Sequence, residues 1–200
     1  MDVKQAAFKR RSVRSFSPKE VPAALLEEMV DAARVGPSLA NRQPLEYVIV
    51  TDAELRAQIF ACLKWAAYIA PNGDPQPGHE PTAYVVVLRR SDYELANMSV
   101  YDVGAAAQTL LLLGVENGLG SCWIKSVNYP KVASLLEVPK SLEVDSVIAL
   151  GYPDEDPSLV DLKPEDEGLE VIKYWRDESG QHFTPKRALA KVMHKERYKA

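Results

Sequence analysis

Residues 98–117 carry the segment VGAAAQTLLLLGV, which is apolar on nearly every face once wound into a helix. A helix of that kind has to be covered on all sides. A chain of 200 residues has few elements of its own to spare for this, so the segment predicts a layered core with a second subunit as the natural cover. Gly118 and Gly120 end the helix.

The surrounding pattern supplies the layers. Residues 2–11 read as a short helix ending in Lys9, Arg10 and Arg11, followed by an extended stretch through Val13 and Phe16. Val21 and Pro22 open a second helix to about Arg34, with Leu25, Leu26, Met29, Val30 and Ala33 at helical spacing. Residues 46–51 read as a strand, and Asp52 caps a helix carrying Leu55, Ile59, Leu63, Ala66 and Ala67. The Pro- and Gly-rich run 71–81 is a long loop. Residues 83–88 (AYVVVL) are too continuously apolar for a half-exposed strand. Strands over 121–126 and 144–150 flank a short helix opened by Pro130. Residues 154–170 read as an acidic surface excursion and 174–183 as extended; a terminal helix starts near Pro185, within a basic segment 184–200. The order gives an α+β fold over residues 1–200: one layered domain, without internal repeats.

Apolar residues at 46% exclude disorder over most of the length, and no run reaches the roughly 18 apolar residues of a membrane span. Charges near the N-terminus stand where a signal peptide is apolar, and Cys62 and Cys122 form no CxxC pair. Free, buried thiols in a cytoplasmic protein are therefore expected. The net charge of −4 is segregated: residues 1–19 and 182–200 each carry six Lys/Arg against one acid. An acidic protein with two basic ends does not suit a broad nucleic-acid face. Either the ends are solvated helices, or they converge on a compact anion such as a phosphate.

The side chains offer no self-sufficient chemistry. His79, His182 and His194 lack metal-ligand spacing, and GxSxG, GxGxxG and Walker-type phosphate loops are absent. An enzyme built this way needs a cofactor for the hard step. Two polar clusters remain. Arg10-Arg11-Ser12-Val13-Arg14 places three guanidiniums and a hydroxyl at a helix-to-extended transition, where forks suit phosphate oxygens and electron-rich carbonyls. Residues 37–44 (PSLANRQP) gather Ser, Asn and Gln before a buried strand, as a capped turn or as part of a site.

In this order the pieces resemble the nitroreductase family of flavoproteins. Residues 10–16 (RRSVRSF) are similar to its opening signature, and 36–44 (GPSLANRQP) to its Pro-Ser/Asn/Gln-Pro segment. Residues 102–108 and 118–124 resemble its central helix and following strand, 149–153 (ALGYP) its strand end, and 185–187 (PKR) its C-terminal basic pair. The resemblance implies a central, mostly antiparallel sheet flanked by helices in an intertwined homodimer, with FMN at the interface. It implies that Arg10, Arg11, Ser12 and Arg14 hold FMN from one subunit, with Arg14 at the N1–O2 edge as the catalytic charge. Arg10, Arg187 and Lys186 would take the phosphate. Pro37, Ser38, Leu39 and Asn41 would cover the flavin edge from the other subunit, and Trp123, Ile124 and Lys125 would line the ring. The implied activity is ping-pong hydride transfer from NAD(P)H to a nitroaromatic, quinone or similar small acceptor. Flavin storage or sensing without turnover, dehalogenation and flavin reduction are the alternatives. Leu45 stands where many members have Trp. Larger relatives carry a helical excursion where this chain has 71–81 and 91–98, so the resemblance implies a pocket open to bulky acceptors. Trp65, Tyr68 and Pro71 are either the apolar wall of that pocket or ordinary core and loop residues.

Overall fold

The computed structural model of the chain describes residues 1–92 and 98–198. A four-stranded sheet forms its centre: β1 (Leu45–Val50), β2 (Ala83–Arg90), β3 (Gly120–Ile124) and β4 (Leu142–Gly151), in the order β1-β2-β4-β3 with every neighbour antiparallel. Helices α2 (Ala23–Arg34) and α4 (Ser99–Glu116) cover one face, and α3 (Ala53–Phe60) and α5 (Tyr129–Leu135) the other. Strand β2 shows why its run is continuously apolar. Val85 and Val87 point into the α2/α4 core, while Tyr84, Val86 and Leu88 point into the α3/α5 core. Successive side chains alternate across the pleat, so both phases must be apolar when both faces are covered.

Side-chain caps place the starts of α1 (Val3–Lys9), α3 and α5. Helix α1 has a reciprocal capping box between Asp2 and Gln5. The Asp52 carboxylate accepts the Leu55 N–H at 2.8 Å and starts α3. Expectation and structure part at the end of α3, which stops at Phe60; Leu63 and Ala66 lie in the connection beyond it and Ala67 opens a 3₁₀ turn, Ala67–Ile69. Leu63 instead forms a bridge with Val127.

The C-terminal part also differs. The acidic excursion contains a strand, β5 (Ser158–Asp161), and the stretch after it holds β6 (Trp175–Arg176) and β7 (His182–Lys186). These form a separate sheet, β5-β7-β6, in which β5 and β7 run parallel. Pro185 lies inside β7, and the terminal helix α6 is confined to Leu189–Val192. Proline inside a central strand is unusual, and the pairing spans more than 20 residues of sequence, so nothing local announces it. Part of the stretch 91–98 lies outside the described residues.

Helix α4 is half covered by its own chain. Val103, Ala106, Ala107, Leu110 and Leu111 are buried, whereas the face carrying Tyr101, Ala105, Gln108 and Leu112 stays partly or fully exposed, Tyr101 at 70%. Within one chain, burial on all sides is therefore not achieved. Among the described residues no helix is long and apolar enough to cross a membrane. Cys62 and Cys122 are free and buried.

Residues 12–17 run along the edge of the central sheet. Ser12 bridges Ser121 and Phe16 bridges Pro153, while the Val13 N–H donates to the Ser121 carbonyl and the Ser17 N–H to the Tyr152 carbonyl, both at 2.9 Å. Gly120 and Gly151 are register partners beneath this segment. A Cβ on Gly120 would lie 2.9 Å from Val13, and one on Gly151 2.8 Å from the Phe16 ring. Phe16 is fully buried, so it has no free direction in which to give way. Gly151→Ala is therefore expected to lower stability by about 1–3 kcal/mol, the cost of overpacking, read as a reduced urea midpoint.

Candidate active site

A cleft of about 600 Å³ opens at the end of β3. Arg14, Trp123, Ile124 and Lys125 line it together with Trp65 and Pro71, so most of the residues expected at the ring and its wall meet in one place. The Trp123 indole N–H donates to the Ser146 hydroxyl at 2.8 Å, which fixes the ring at the cleft surface. The Lys125 ammonium is drawn back onto the buried Asp145 carboxylate at 3.0 Å, which also binds Arg89. Trp65 lies where the core meets the cleft. It is 5% exposed within the α3/α5 core, yet it borders the cleft with its indole N–H lacking a partner. Tyr68 stands outside this lining, exposed, and packs its ring on Tyr174 at 5.0 Å.

The edge segment holds Arg14 by its backbone. Its N–H donates to the Glu155 carboxylate, whose other oxygen takes Arg176 at 2.6 Å. Arg14 is 8% exposed. Its guanidinium lies over the Tyr174 ring, 5.0 Å from the centroid, and its Nη1 is 3.4 Å from His182 Nε2. Its Nε–H is buried without a partner. Burial first, then the positive Arg14, push the His182 imidazole down to about 4. The ring is thus neutral near pH 7, and Nε2 facing a donor makes Nδ1 the protonated nitrogen. Burial pushes the neighbouring Cys122 thiol up, against the pull of Arg14.

Arg10 and Arg11 are partly withdrawn from solvent, and that desolvation lowers both pKa values; arginines stay charged in proteins regardless. Arg11 donates to the Arg10 carbonyl at 2.6 Å and borders a small neighbouring cleft with Glu155 and Asp156. Ser12 is taken up in the bridge to Ser121. Lys186 and Arg187 are exposed at the end of β7 and do not line the Arg14 cleft.

Residues 37–43 stand apart from it as well. Pro37 and Ser38 border a separate pocket of about 250 Å³ with Tyr47 and Asp102, and Leu39 and Asn41 form an adjoining 3₁₀ turn. Ala40, Asn41 and Gln43 all have positive φ, at 48°, 54° and 50°. Conformations this sparsely populated persist only where the surroundings enforce them. Here the buried Asp102 carboxylate accepts the Leu39 N–H at 2.9 Å, and the Ser38 hydroxyl accepts the Gln43 N–H at 3.0 Å. Polar content marked this loop in the sequence; its strain and its anchor on α4 did not show. Glu155, Tyr174, Arg176 and His182, which surround Arg14, have no sequence signal at all. Among the described residues no group of three or more His, Cys, Asp and Glu is placed to hold a metal ion.

Comparison with known proteins gives a consistent picture. The Nitroreductase family matches residues 7–152. A curated protein of Methanothermobacter thermautotrophicus, named "Putative NADH dehydrogenase/NAD(P)H nitroreductase", is 31% identical over 168 residues, covering 81% of this chain and 83% of its own. The iodotyrosine deiodinase of Haliscomenobacter hydrossis is 26% identical over 189 residues, covering 82% and 85%. An FMN-dependent nitroreductase structure from Clostridium difficile superposes with a TM-score of 0.67 at 22% identity, over 95% of this chain and 96% of that one, which is a likeness of fold.

The anchor of the strained loop is directly testable. Asp102→Ala removes the charged acceptor of the Leu39 N–H and is expected to cost about 2 kcal/mol. Faster amide exchange confined to residues 37–43 would localise the loss, and unchanged exchange there would refute the anchoring role.

Proposed function

Because this chain belongs to the nitroreductase family, we propose that it is a cytoplasmic, homodimeric FMN-dependent oxidoreductase taking hydride from NAD(P)H. Its acceptor is a nitroaromatic, quinone or similar small molecule. The observation that carries this reading is a buried guanidinium with an unused N–H, bordering a cleft walled by Trp123 and Ile124. That combination fits a planar ring with one electron-rich edge. When bound, FMN supplies the hydride-accepting centre that the side chains lack.

The roles of the chain's own residues follow. Arg14 presents a fixed, desolvated positive charge to the N1–O2 edge, which favours the more negative, reduced form. Trp123, Ile124 and Lys125 border the ring, and the indole stays in place through Ser146. Arg10, Arg11 and Ser12 hold FMN from the same edge segment, and Arg10 shares the phosphate with Lys186 and Arg187. Pro37, Ser38, Leu39 and Asn41 stand outside the Arg14 cleft of their own chain, which supports a site completed by the loop of a second copy. The uncovered face of α4 around Tyr101, Ala105 and Leu112 supports the same assembly. Trp65 and Pro71, with Tyr68 beyond them, form the wall met by the acceptor.

The likeness to an iodotyrosine deiodinase favours one second reading, reductive dehalogenation on the same scaffold. A panel of quinones, nitroaromatics and halogenated phenols under anaerobic conditions separates the two.

The proposal requires purified protein to be dimeric and yellow, and to bleach when NADH or NADPH is added without oxygen. Colourless, monomeric protein that refuses FMN refutes it. Arg14→Ala is expected to keep the dimer and slow bleaching by about 10²–10³, as for loss of one charge-stabilising donor; unaltered stopped-flow rates would remove Arg14 from its role. Arg187→Ala is expected to weaken FMN retention roughly tenfold, the worth of one charge-assisted hydrogen bond. Equilibrium dialysis measures it, and full retention would separate Arg187 from the phosphate.

A further inference from the structure

The family match ends at residue 152, yet four of the side chains around Arg14 come from beyond it. Glu155 follows β4, Tyr174 and Arg176 lie at β6, and His182 begins β7. We infer that His182 is a positioning residue for Arg14, a neutral acceptor that orients the guanidinium without cancelling its charge. The inference rests on the flavin reading of the Arg14 cleft and adds a residue to it.

The geometry is specific. His182 is 2% exposed, its Nε2 faces Arg14 Nη1 at 3.4 Å, and its Nδ1 has no partner. Tyr174 stacks on the imidazole at 5.5 Å and 25°, and the same ring carries the Arg14 guanidinium. One aromatic ring therefore holds donor and acceptor in register.

The charges facing the imidazole are Arg14 from the edge segment, Glu155 after β4 and Arg176 from β6. Glu155 is divided between the Arg14 backbone and the Arg176 side chain. Glu155 thus pairs with the Arg176 guanidinium and meets Arg14 only at its backbone N–H, so the Arg14 guanidinium keeps its positive charge without a bonded carboxylate. A carboxylate in place of His182 would neutralise it; a protonated imidazole would add a second cation against it. A neutral acceptor such as this imidazole meets Nη1 and leaves both the charge and the Nε–H available to an electron-rich edge. Above its depressed pKa the ring accepts. As pH falls from about 6.5 towards 4, the unfolded chain binds a proton that the folded ring resists, so this contribution to stability is lost over that interval.

The test uses two substitutions and two readouts. H182F keeps the stacking volume and removes the acceptor; H182Q restores a neutral acceptor. The dissociation constant for FMN is expected to rise about fivefold in H182F and to stay within about twofold of the native value in H182Q, as for one hydrogen bond. Equal losses in both variants, or none in either, overturn the inference. The second readout needs no flavin: the imidazole titration followed by NMR in full-length protein. R14M takes away the facing cation, so the His182 midpoint is expected to move upward, and an unmoved midpoint overturns the pairing. Should native protein refuse FMN, the functional reading fails, while the titration still decides whether His182 engages Arg14.

Discussion

The site depends on the close approach of one extended segment to two glycines. Gly120 and Gly151 face each other across β3 and β4, and the room they leave is filled by Val13 and Phe16. Packing of this density tolerates no extra methyl group. Because those two apolar side chains are locked down, Arg14, which lies between them in sequence, has its backbone direction set before any ligand arrives. The central sheet thus sets the backbone from which the guanidinium extends.

What surrounds that guanidinium shows how the fold spends charge. Elsewhere buried charge is matched closely: Asp145 takes both Lys125 and Arg89. Around Arg14 the matching is incomplete: Glu155 pairs with Arg176 and takes only the backbone N–H of Arg14, whose guanidinium meets a neutral imidazole instead. Uncompensated buried charge is costly, and its retention beside a cleft is what a site for an electron-rich ring requires. The strained loop 37–43 makes a parallel case on another surface. Three left-handed residues are kept in place by Asp102 and Ser38.

The sequence alone was enough for the α+β order, the four central strands, the main helices, the free thiols, and the segments RRSVR and PSLANRQP as polar features that helices and strands do not require. Periodicity and capping act over a few residues, so they can be read without coordinates. Only the tertiary structure decided that the C-terminal strands form their own sheet around Pro185, that His182, Tyr174 and Glu155 close around Arg14, and that loop 37–43 lies outside the Arg14 cleft of its own chain. Those are contacts between residues tens to more than a hundred positions apart. Their energy comes from packing and desolvation that no local pattern encodes, and so the chemical partners of Arg14 could be found only once the chain was folded.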